Sequence, residues 1–413
     1  VRLNQGELDA AVKMFTESVR FATAAVARDA NRDDWQLALS NAHFWVGEAL
    51  RQKGDRDGTL QHFRNYLEIS RKLAARHPGD AKYQAEVSYG HGNIGAVYEG
   101  AGDLERALEA YRTAVELDRD RTRTDPGNPT WQTDLAISLN RLGVALQTNG
   151  DLAAAARVFA EETALQRKLV GAAPNDARRT ARLAVSLAYA GTLQQMMGNT
   201  RAALTSFEEE LALSAKLAEL DPANLSTRRN RAVAESRFGA LLTNDSRRAK
   251  KHLANAVAEL RAIVKQDLRP AWRRDLASAI QREGAYALAT GDAQQARTGA
   301  REALAILNGI TGADAQNSIT MRTRCEALLL AADAEAATGA DAAAEQYRTA
   351  AAALAGEGVQ DLRLIALRVR ALSALGRSES AAPLAKRLAR SGYRDPYVDA
   401  LPAAHPPPLR TAL

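Results

Sequence analysis

The sequence predicts an all-α chain that folds as a solenoid of stacked antiparallel helix pairs. Three observations support this fold class: small residues recur with a fixed period, apolar residues follow helical spacing, and proline-containing loops close each unit. The composition agrees, because 46% of the 413 residues are hydrophobic but only 5% are aromatic. Much of the apolar content is alanine, the strongest helix former, which also lets helices pack closely.

Glycine residues mark a period of 48 residues along the chain. One set follows the first helix of each predicted pair, at Gly6, Gly54, Gly102, Gly150 and Gly198, with Ser246, Gly291 and Gly339 continuing it less regularly. A second set lies seven positions earlier, at Gly47, Gly95, Gly143, Gly191, Gly239, Gly284 and Ala332. We expect the later glycine to end a helix in a left-handed conformation and the earlier one to let a neighbouring helix approach its backbone.

The residues that follow these glycines predict the second helix of each pair. Asp and Asn side chains accept hydrogen bonds from the free amides of a first helical turn, as expected at Asp55, Asp103, Asp151, Asn199 and Asp292. In the central unit one helical stripe is formed by Leu135, Leu139, Leu142 and Leu146. Proline cannot continue a helix, so each unit is expected to stop near Pro78, Pro126, Pro174 or Pro222.

This pattern resembles the tetratricopeptide repeat (TPR) family. The resemblance rests on the pair Leu142-Gly143, on the trailing prolines, and on recurring alanines and aromatics at Ala107, Ala155, Ala203, Phe63, Tyr111, Phe159 and Phe207. The period differs, since TPR units have about 34 residues, and the longer period implies longer helices. The resemblance implies a right-handed TPR-like superhelix in which the first helix of each pair lines a groove for proteins or peptides.

The repeat pattern predicts one solenoid over residues 1–395, without separate globular domains. Its units are expected near 1–34, 35–82, 83–130, 131–178, 179–226, 227–271, 272–319 and 320–356, with a closing pair at 357–395 and a proline-containing tail at 396–413. Around Ser246 the terminating glycine is lost, and we expect the second helix there to begin about two residues early.

Side chains on the open side of the first helices are the candidate binding residues. We expect this concave face to comprise Asn41, Phe44, Glu48, Tyr89, Asn93, Asn140, Arg141, Gln147, Tyr189, Gln195, Arg237, Gln281 and Arg282. Amide groups can bond a peptide backbone and arginines can pair with carboxylates, so the hypothesis is a track for an extended peptide or an acidic terminus. The alternative is that these residues only solvate the groove or pair with neighbouring acids.

The net charge of +6 is unevenly distributed. Between Asp221 and Arg274 there are 13 Lys or Arg but only five Asp or Glu. The basic patch in this segment comprises Arg228, Arg229, Arg231, Arg247, Arg248, Lys250 and Lys251. Its candidate partners are an acidic protein, another domain of the parent chain, or nucleic acid. Nucleic acid is disfavoured, because the nearby aromatics Phe238 and Trp272 are expected in the core and not in a stacking surface.

We expect no catalytic, cofactor-binding or metal-binding residue in this chain. It contains neither a GxxxxGK[ST] phosphate loop nor an HExxH motif, and its six histidines are scattered along the sequence. A single cysteine, Cys325, excludes an intramolecular disulfide and is expected to be buried. The leading hypothesis is therefore a non-catalytic scaffold or regulatory module that binds a protein or peptide.

The parent protein gives a second hypothesis. The sequence begins at Val1, inside a repeat, which predicts a fragment of a longer chain. Similar arrays occur C-terminal to bacterial serine/threonine kinase, winged-helix or ATPase signalling domains, so the alternative is the sensor region of such a protein. The sequence contains no apolar run of about 18 residues, the length that a membrane-spanning helix needs, so no membrane span is predicted. We expect a cytoplasmic location, or a periplasmic one if a span lies upstream.

Overall fold

The computed structural model describes residues 7–356, 359–395 and 399, and within these residues it contains helices and no strand. The helices are α1 (Leu8–Arg28), α2 (Asp33–Lys53), α3 (Arg56–Arg76), α4 (Ala81–Gly100), α5 (Leu104–Thr124), α6 (Pro129–Asn149), α7 (Leu152–Ala172), α8 (Ala177–Met196), α9 (Thr200–Leu220), α10 (Leu225–Leu241), α11 (Ser246–Val264), α12 (Pro270–Ala289), α13 (Ala293–Asn308), α14 (Ala313–Gln316), α15 (Ser318–Ala337), α16 (Asp341–Leu354), α17 (Leu362–Ala374) and α18 (Ser378–Ser391). The predicted all-α array of helix pairs is confirmed.

The helix starts follow the period of the sequence. The first helices of five successive pairs begin at Asp33, Ala81, Pro129, Ala177 and Leu225, each 48 residues after the last. The second helices begin at residues 56, 104, 152 and 200, but the next one begins at Ser246, two residues early, as expected from the lost glycine. The periodic glycines therefore report real helix boundaries.

Among the described residues, the two glycine sets have the two roles expected of them, whereas Gly6 lies outside the described residues. Left-handed backbone angles occur at Gly54, Gly102, Gly150, Gly198, Gly291 and Gly339. In the other set, a Cβ atom at Gly95 would lie 2.8 Å from the Tyr111 ring, and one at Gly191 would lie 2.6 Å from the Phe207 ring. Only glycine leaves room there for the aromatic side chain of the second helix.

The capping prediction is confirmed at four positions and wrong at one. The side chains of Asp55, Asp103, Asp151 and Asp292 accept a hydrogen bond from a backbone amide of the following helix. Asn199 makes no such bond. Its Nδ2 instead donates to Oε1 of Gln194, 2.8 Å away, which turns the amide group away from α9.

The chain divides into two compact units, Val1–Leu146 (unit 1) and Gln147–Leu413 (unit 2), with the boundary inside the last turn of α6. Within unit 1, α1 to α5 pack against one another in chain order. Within unit 2, α7 to α13 do the same, and α15 to α18 continue the array. The detailed division into repeat units stays a prediction, and the tail 396–413 lies outside the described residues except for Asp399.

Unit 2 closes back on its own beginning. The backbone N–H of Arg394, just after α18, donates to the carbonyl of Met196 at the end of α8 over 2.8 Å. A Cβ at Gly150, just before α7, would lie 3.4 Å from Cβ of Ser391. Because the end of the unit meets its start, the inner sides of α8, α10, α12, α15 and α17 surround one space.

Within the described residues, no helix is long and apolar enough to cross a membrane. Cys325 is buried and unbridged, as expected. The central stripe of leucines is buried too, at Leu135, Leu139, Leu142 and Leu146.

Candidate binding site

The space inside unit 2 contains a polar cavity of about 150 Å³. Five first helices and one second helix contribute its lining: α8, α10, α12, α15, α17 and α9. We call it the arginine cavity, because its lining includes Arg237, Arg274, Arg282, Arg322 and Arg363. Two carboxylates also line it, those of Asp275 and Glu326.

Two of these arginines are neutralised by close ion pairs. Arg237 Nη1 lies 2.6 Å from Oε1 of Glu210, and Arg322 Nη1 lies 2.7 Å from Oδ2 of Asp361. Burial raises the pKa of Glu210, and the positive charge of Arg237 opposes that rise. Burial disfavours the charged form of Arg322 too, and for a guanidinium this lowers the pKa. These pairs are partly desolvated, so they hold their helices in register but leave little charge for a ligand.

The two lining carboxylates are also engaged. Arg363 Nη2 approaches Oε1 of Glu326 to 3.5 Å, and Nε of Arg229, from α10, donates to Oδ2 of Asp275 over 2.7 Å. Each carboxylate of the cavity therefore has its own arginine.

The remaining two arginines have only hydroxyl partners. Arg274 Nη1 donates to Oγ1 of Thr320, and Arg282 Nη1 donates to Oγ of Ser236, each over 3.1 Å. No carboxylate of the described residues forms an ion pair with either guanidinium. Burial lowers the pKa of Arg282 to about 10, and the nearby positive charge of Arg237 acts in the same direction, whereas the carboxylates of Glu326 and Asp275 oppose the shift. Arg282 still carries its charge at neutral pH.

Exposed apolar side chains border this cavity. Ile319, in the first turn of α15, lines the cavity and is 43% exposed. On α8, Tyr189 is 38% exposed and Val185 is also exposed. Residues three and four apart share one face of a helix, so both lie on the same side of α8 as the cavity residue Thr192. The Tyr189 ring stacks on Phe159 with a centroid distance of 5.7 Å, which fixes its orientation.

The predicted concave-face residues of unit 2 are only partly brought together. Gln195, Arg237 and Arg282 line the arginine cavity. Gln281, by contrast, is buried between helices. Gln147 is half-buried, and its Oε1 has no hydrogen-bond partner among the described residues.

In unit 1 the first predicted residues lie at different depths. Asn41 is exposed, whereas Phe44 is half-buried and packs against the rings of Phe63 and Tyr66 at centroid distances of 6.0 and 5.8 Å. Glu48 forms an ion pair with Arg51 on the same helix, at 2.6 Å, which lowers the pKa of Glu48. Phe44 thus belongs to the hydrophobic packing, and the charge of Glu48 is already paired.

A second group in unit 1 surrounds a buried ion-pair network. Arg121 Nη2 donates to Asp118 over 3.0 Å and to Asp134 over 2.7 Å. The predicted residue Tyr89 joins this network, because its hydroxyl donates to Oδ1 of Asp134 over 3.0 Å. Ser138 donates to Asp118 over 2.6 Å and helps to offset the rise in pKa that burial gives that carboxyl.

The other predicted residues of unit 1 are half-buried: Asn93, Asn140 and Arg141. The guanidinium of Arg141 lies over Gly92, where an added Cβ would be 2.6 Å from Nη1. Arg141 therefore fills the space left by a glycine.

The basic patch divides between two helices. On α10, Arg228 pairs with Glu259 at 2.7 Å, Arg231 reaches the same carboxylate at 3.6 Å, and Arg229 pairs with Asp275. On α11, Arg248 lies 3.9 Å from Glu208 and from Asp245. The remaining members are exposed and form no ion pair with a described residue: Arg247, Lys250 and Lys251. Phe238 and Trp272 are buried, as expected, so neither offers a stacking surface.

Sequence reasoning missed three of the five arginines in the cavity: Arg274, Arg322 and Arg363. A signal was available for two of them, because Arg274 and Arg322 lie 48 residues apart and so occupy equivalent positions of neighbouring first helices. Arg363 has no such signal, since the closing pair departs from the period. Within the described residues, no cluster of three or more His, Cys, Asp or Glu side chains could hold a metal ion.

Comparison with known proteins shows what part of this array is similar to. A tetratricopeptide repeat model matches residues 90–121, which cover most of α4 and α5. No curated protein gives a significant match.

Solved structures give similar folds at low sequence identity. A signal transduction ATPase with numerous domains and a tetratricopeptide repeat sensor, from Pyrococcus horikoshii, shares 11% identity over 93% of this chain and 50% of its own, with a TM-score of 0.50. A Rap protein complexed with competence and sporulation factor shares 12% identity over 94% of this chain and 97% of its own, with a TM-score of 0.46. A tetratricopeptide repeat protein from Parabacteroides merdae shares 12% identity over 80% of this chain and 98% of its own, with a TM-score of 0.42. At these identities the likeness concerns the fold.

Proposed function

We propose that this chain, an array of tetratricopeptide-type helix pairs, is a non-catalytic module that holds an extended peptide segment of a partner protein inside unit 2. The observation that carries the proposal is the arginine cavity with its exposed border. Tyr189 and Ile319 are large apolar side chains that remain open to solvent beside a polar cavity. Pockets that combine apolar contacts with a few fixed polar groups are typical of ligand sites.

The chemistry of the lining favours a peptide with an acidic residue. An apolar side chain of the peptide would cover Tyr189 and Ile319, and a carboxylate would reach a guanidinium of the cavity. Peptide amides would bond to Gln195, which is exposed on α8. In this proposal the basic patch is a surface of α10 and α11 whose arginines mainly hold neighbouring helices. The two sequence-based alternatives, a sensor region of a larger signalling protein and a nucleic-acid-binding surface, stay predictions.

Panning a random peptide library on the purified chain tests the proposal. Enriched peptides would be synthesised, and their affinities measured by fluorescence polarisation for the wild type and for Tyr189→Ala and Ile319→Ala. We expect each variant to bind about tenfold more weakly, since burying such side chains contributes about 1.5–3 kcal/mol.

Leu268→Ala is the matched control, because Leu268 is a 70% exposed apolar residue outside the cavity. Its affinity should equal that of the wild type. The proposed peptide site would be rejected if no peptide were enriched. It would also be rejected if Tyr189→Ala and Ile319→Ala both bound the enriched peptides as tightly as the wild type.

A further inference from the structure

Three arginines of unit 2 occupy the same position on successive first helices. Arg229, Arg274 and Arg322 are each the fifth residue of their helix, in α10, α12 and α15, and we call them the arginine row. Each bonds to the next first helix along the array. Arg229 Nε donates to Oδ2 of Asp275 on α12, and Arg322 Nη1 donates to Oδ2 of Asp361, the N-cap residue of α17, each over 2.7 Å. The two outer members of the row are therefore paired with a carboxylate of the following helix.

The middle member of the arginine row lacks such a carboxylate. Arg274 Nη1 donates to the hydroxyl of Thr320 on α15 over 3.1 Å. The N-cap of α15, where α17 has its aspartate, is Asn317, and the sixth residue of α15, where α12 has its aspartate, is Thr323. Among the described residues Arg274 has no ion-pair partner, and its Nε and Nη2 donate to no acceptor. Its charge and these donors are therefore available to a ligand.

An exposed apolar side chain lies next to the hydroxyl partner of this arginine. Ile319, which is 43% exposed, directly precedes Thr320, and both Ile319 and Arg274 line the arginine cavity. In an extended peptide, side chains two residues apart point to the same side and are separated by roughly 7 Å. Such a peptide can therefore place an apolar side chain on Ile319 and an acidic one at Arg274.

The other arginines of the cavity are less suited to this role. Three of them already have a carboxylate partner: Arg237, Arg322 and Arg363. Arg282 lies eight residues after Arg274 on α12, which is about 12 Å along the helix axis, and it bonds to Ser236 on α10. The carboxylates of Glu326 and Asp275 also balance part of its charge. We therefore assign one ligand carboxylate to Arg274 alone.

We propose that Arg274 selects an acidic residue of the bound peptide, so that unit 2 prefers extended segments with Asp or Glu within two residues of a large apolar side chain. The carboxylate accepts hydrogen bonds from Arg274, and the apolar side chain covers Ile319. The cavity of about 150 Å³ corresponds to roughly five water molecules, which is room for one side chain but not for the backbone that a chain terminus brings with it. This inference rests on the proposed function, because it names the sequence that the peptide site takes.

Panning the peptide library in parallel on the wild type and on Arg274→Gln tests the inference. The wild type should enrich peptides that have Asp or Glu within two residues of a large apolar side chain. Arg274→Gln should keep the preference for the apolar residue and lose the preference for the acid. Equal enrichment of acidic residues on both proteins would overturn the inference.

A double-mutant cycle measures the pairing itself. An enriched peptide is synthesised with its acidic residue and with the corresponding amide, Asn or Gln, in its place, and affinities are measured by fluorescence polarisation. For the wild type the amide should weaken binding by about tenfold to a hundredfold, the range expected for a charge-assisted hydrogen bond. Arg274→Gln should bind both peptides alike. If the amide weakened binding to this variant as much as to the wild type, the carboxylate would meet another group and Arg274 would not be the selecting residue.

Asn317→Asp supplies the missing carboxylate from within the protein. Asn317 is exposed, and Asp is as good an N-cap residue as Asn, so this variant keeps the start of α15. The new carboxylate stands where α17 has the partner of Arg322, and it should compete with the peptide for Arg274. We expect the acidic peptide to bind about tenfold more weakly and the amide peptide to bind as it does to the wild type. Because Arg274 stays in place, this variant decides the question even if Arg274→Gln does not fold, and an unchanged preference for the acidic peptide would overturn the inference.

Arg261→Gln is the matched control, because it removes the same charge elsewhere. Arg261 lies on α11 in a largely exposed ion pair with Glu302, at 2.7 Å, and does not line the cavity. This variant should keep the wild-type preference for the acidic peptide. If it lost that preference as Arg274→Gln does, the effect would be one of net charge and the assignment to Arg274 would be wrong.

The outcomes separate this inference from the proposed function. If no peptide were enriched on the wild type, the peptide site and the acidic preference would both be rejected. Enriched peptides that depend on Tyr189 and Ile319 but show no preference for an acidic residue would reject the role of Arg274 and leave the peptide site standing.

Discussion

Each unit holds an arginine between its helices, buried in unit 1 and half-buried in unit 2, and the surroundings of the two arginines differ. Arg121 in unit 1 is 3% exposed and donates to two carboxylates, those of Asp118 and Asp134. Arg274 in unit 2 has one hydroxyl partner and lines a cavity. The helical scaffold is of the same kind in both units, so the position of a guanidinium between helices does not by itself distinguish a structural role from a binding role. We propose that the presence or absence of carboxylate partners does.

The largest effect is expected from breaking the network of unit 1. Arg121→Met leaves Asp118 and Asp134 without their cation, and removing one partner of a buried ion pair typically costs about 3–5 kcal/mol. Burial already raises the pKa of Asp118, so this carboxyl would lose the charge that opposes the rise. Hydrogen exchange followed by mass spectrometry would measure the loss as faster exchange in α4 and α5.

Arg123→Met is the control for that variant. Arg123 lies on the same helix in an exposed ion pair with Asp120, and exposed pairs contribute about 0–1 kcal/mol. Its exchange pattern should stay close to that of the wild type. If Arg121→Met proved as mild as Arg123→Met, the contrast between a structural arginine in unit 1 and a binding arginine in unit 2 would lose its basis.

A second test asks whether the scaffold is as similar in the two units as the glycines indicate. Gly95→Ala places a methyl group against Tyr111, and Gly191→Ala places one against Phe207. Overpacking of this kind typically costs about 1–3 kcal/mol, and we expect similar losses in both units. Urea denaturation followed by hydrogen exchange would measure each loss in its own unit.

Gly100→Ala and Gly171→Ala are the controls for these substitutions. Both glycines lie at the ends of helices with nothing within 4 Å of an added Cβ. Alanine there should be neutral or should stabilise by up to about 1 kcal/mol, because it favours the helix. A large loss at only one of Gly95 and Gly191 would mean that the helices of the two units do not pack alike.

The sequence predicted the helix boundaries well, but it did not predict how deeply individual side chains are buried. The glycine period predicted helix boundaries correctly because a left-handed turn and a close helix approach each demand one residue type at one position. Gln281 and Phe44 were placed on the concave face by spacing alone, but both are partly or wholly in the interior. Periodicity fixes which helix a residue belongs to, whereas its depth depends on how far each helix is rotated.

The arginine cavity could not be predicted for a related reason. Its lining joins α8 to α17, and these helices meet because the end of unit 2 packs on its beginning through Arg394 and Met196. No local pattern encodes such a closure. The sequence also does not show how the charges pair, since Arg237 and Arg282 both belong to the predicted concave face but only Arg237 has a carboxylate partner.

The smallest expected effect concerns acid sensitivity, which should be greater in unit 1. Burial, with a further contribution from neighbouring positive charge, lowers the pKa of His43 and of His91 to about 4 each. Between about pH 6.5, the ordinary histidine value, and pH 4, the unfolded chain binds protons that the folded chain does not. Stability therefore falls as the pH is lowered through this range. We expect a loss of about 1–2 kcal/mol for the two rings together, after allowing for their partial exposure to water.

Hydrogen exchange of the full chain at a series of pH values, corrected for intrinsic rates, would measure this loss. Peptides from α2 to α5 should lose protection on acidification before peptides from α11 to α13. In unit 2 the described histidine is His252, whose Nδ1 lies 3.0 Å from Oε1 of Glu235, so a proton on that ring has a carboxylate partner. His43→Gln and His91→Gln together should remove most of the difference between the units. The unit 1 ring of His77 also has an acidic partner, Asp33, at 2.5 Å, whereas His43 and His91 contact His62 and Arg71. If both units lost protection at the same pH in the wild type, His43 and His91 would not be the cause.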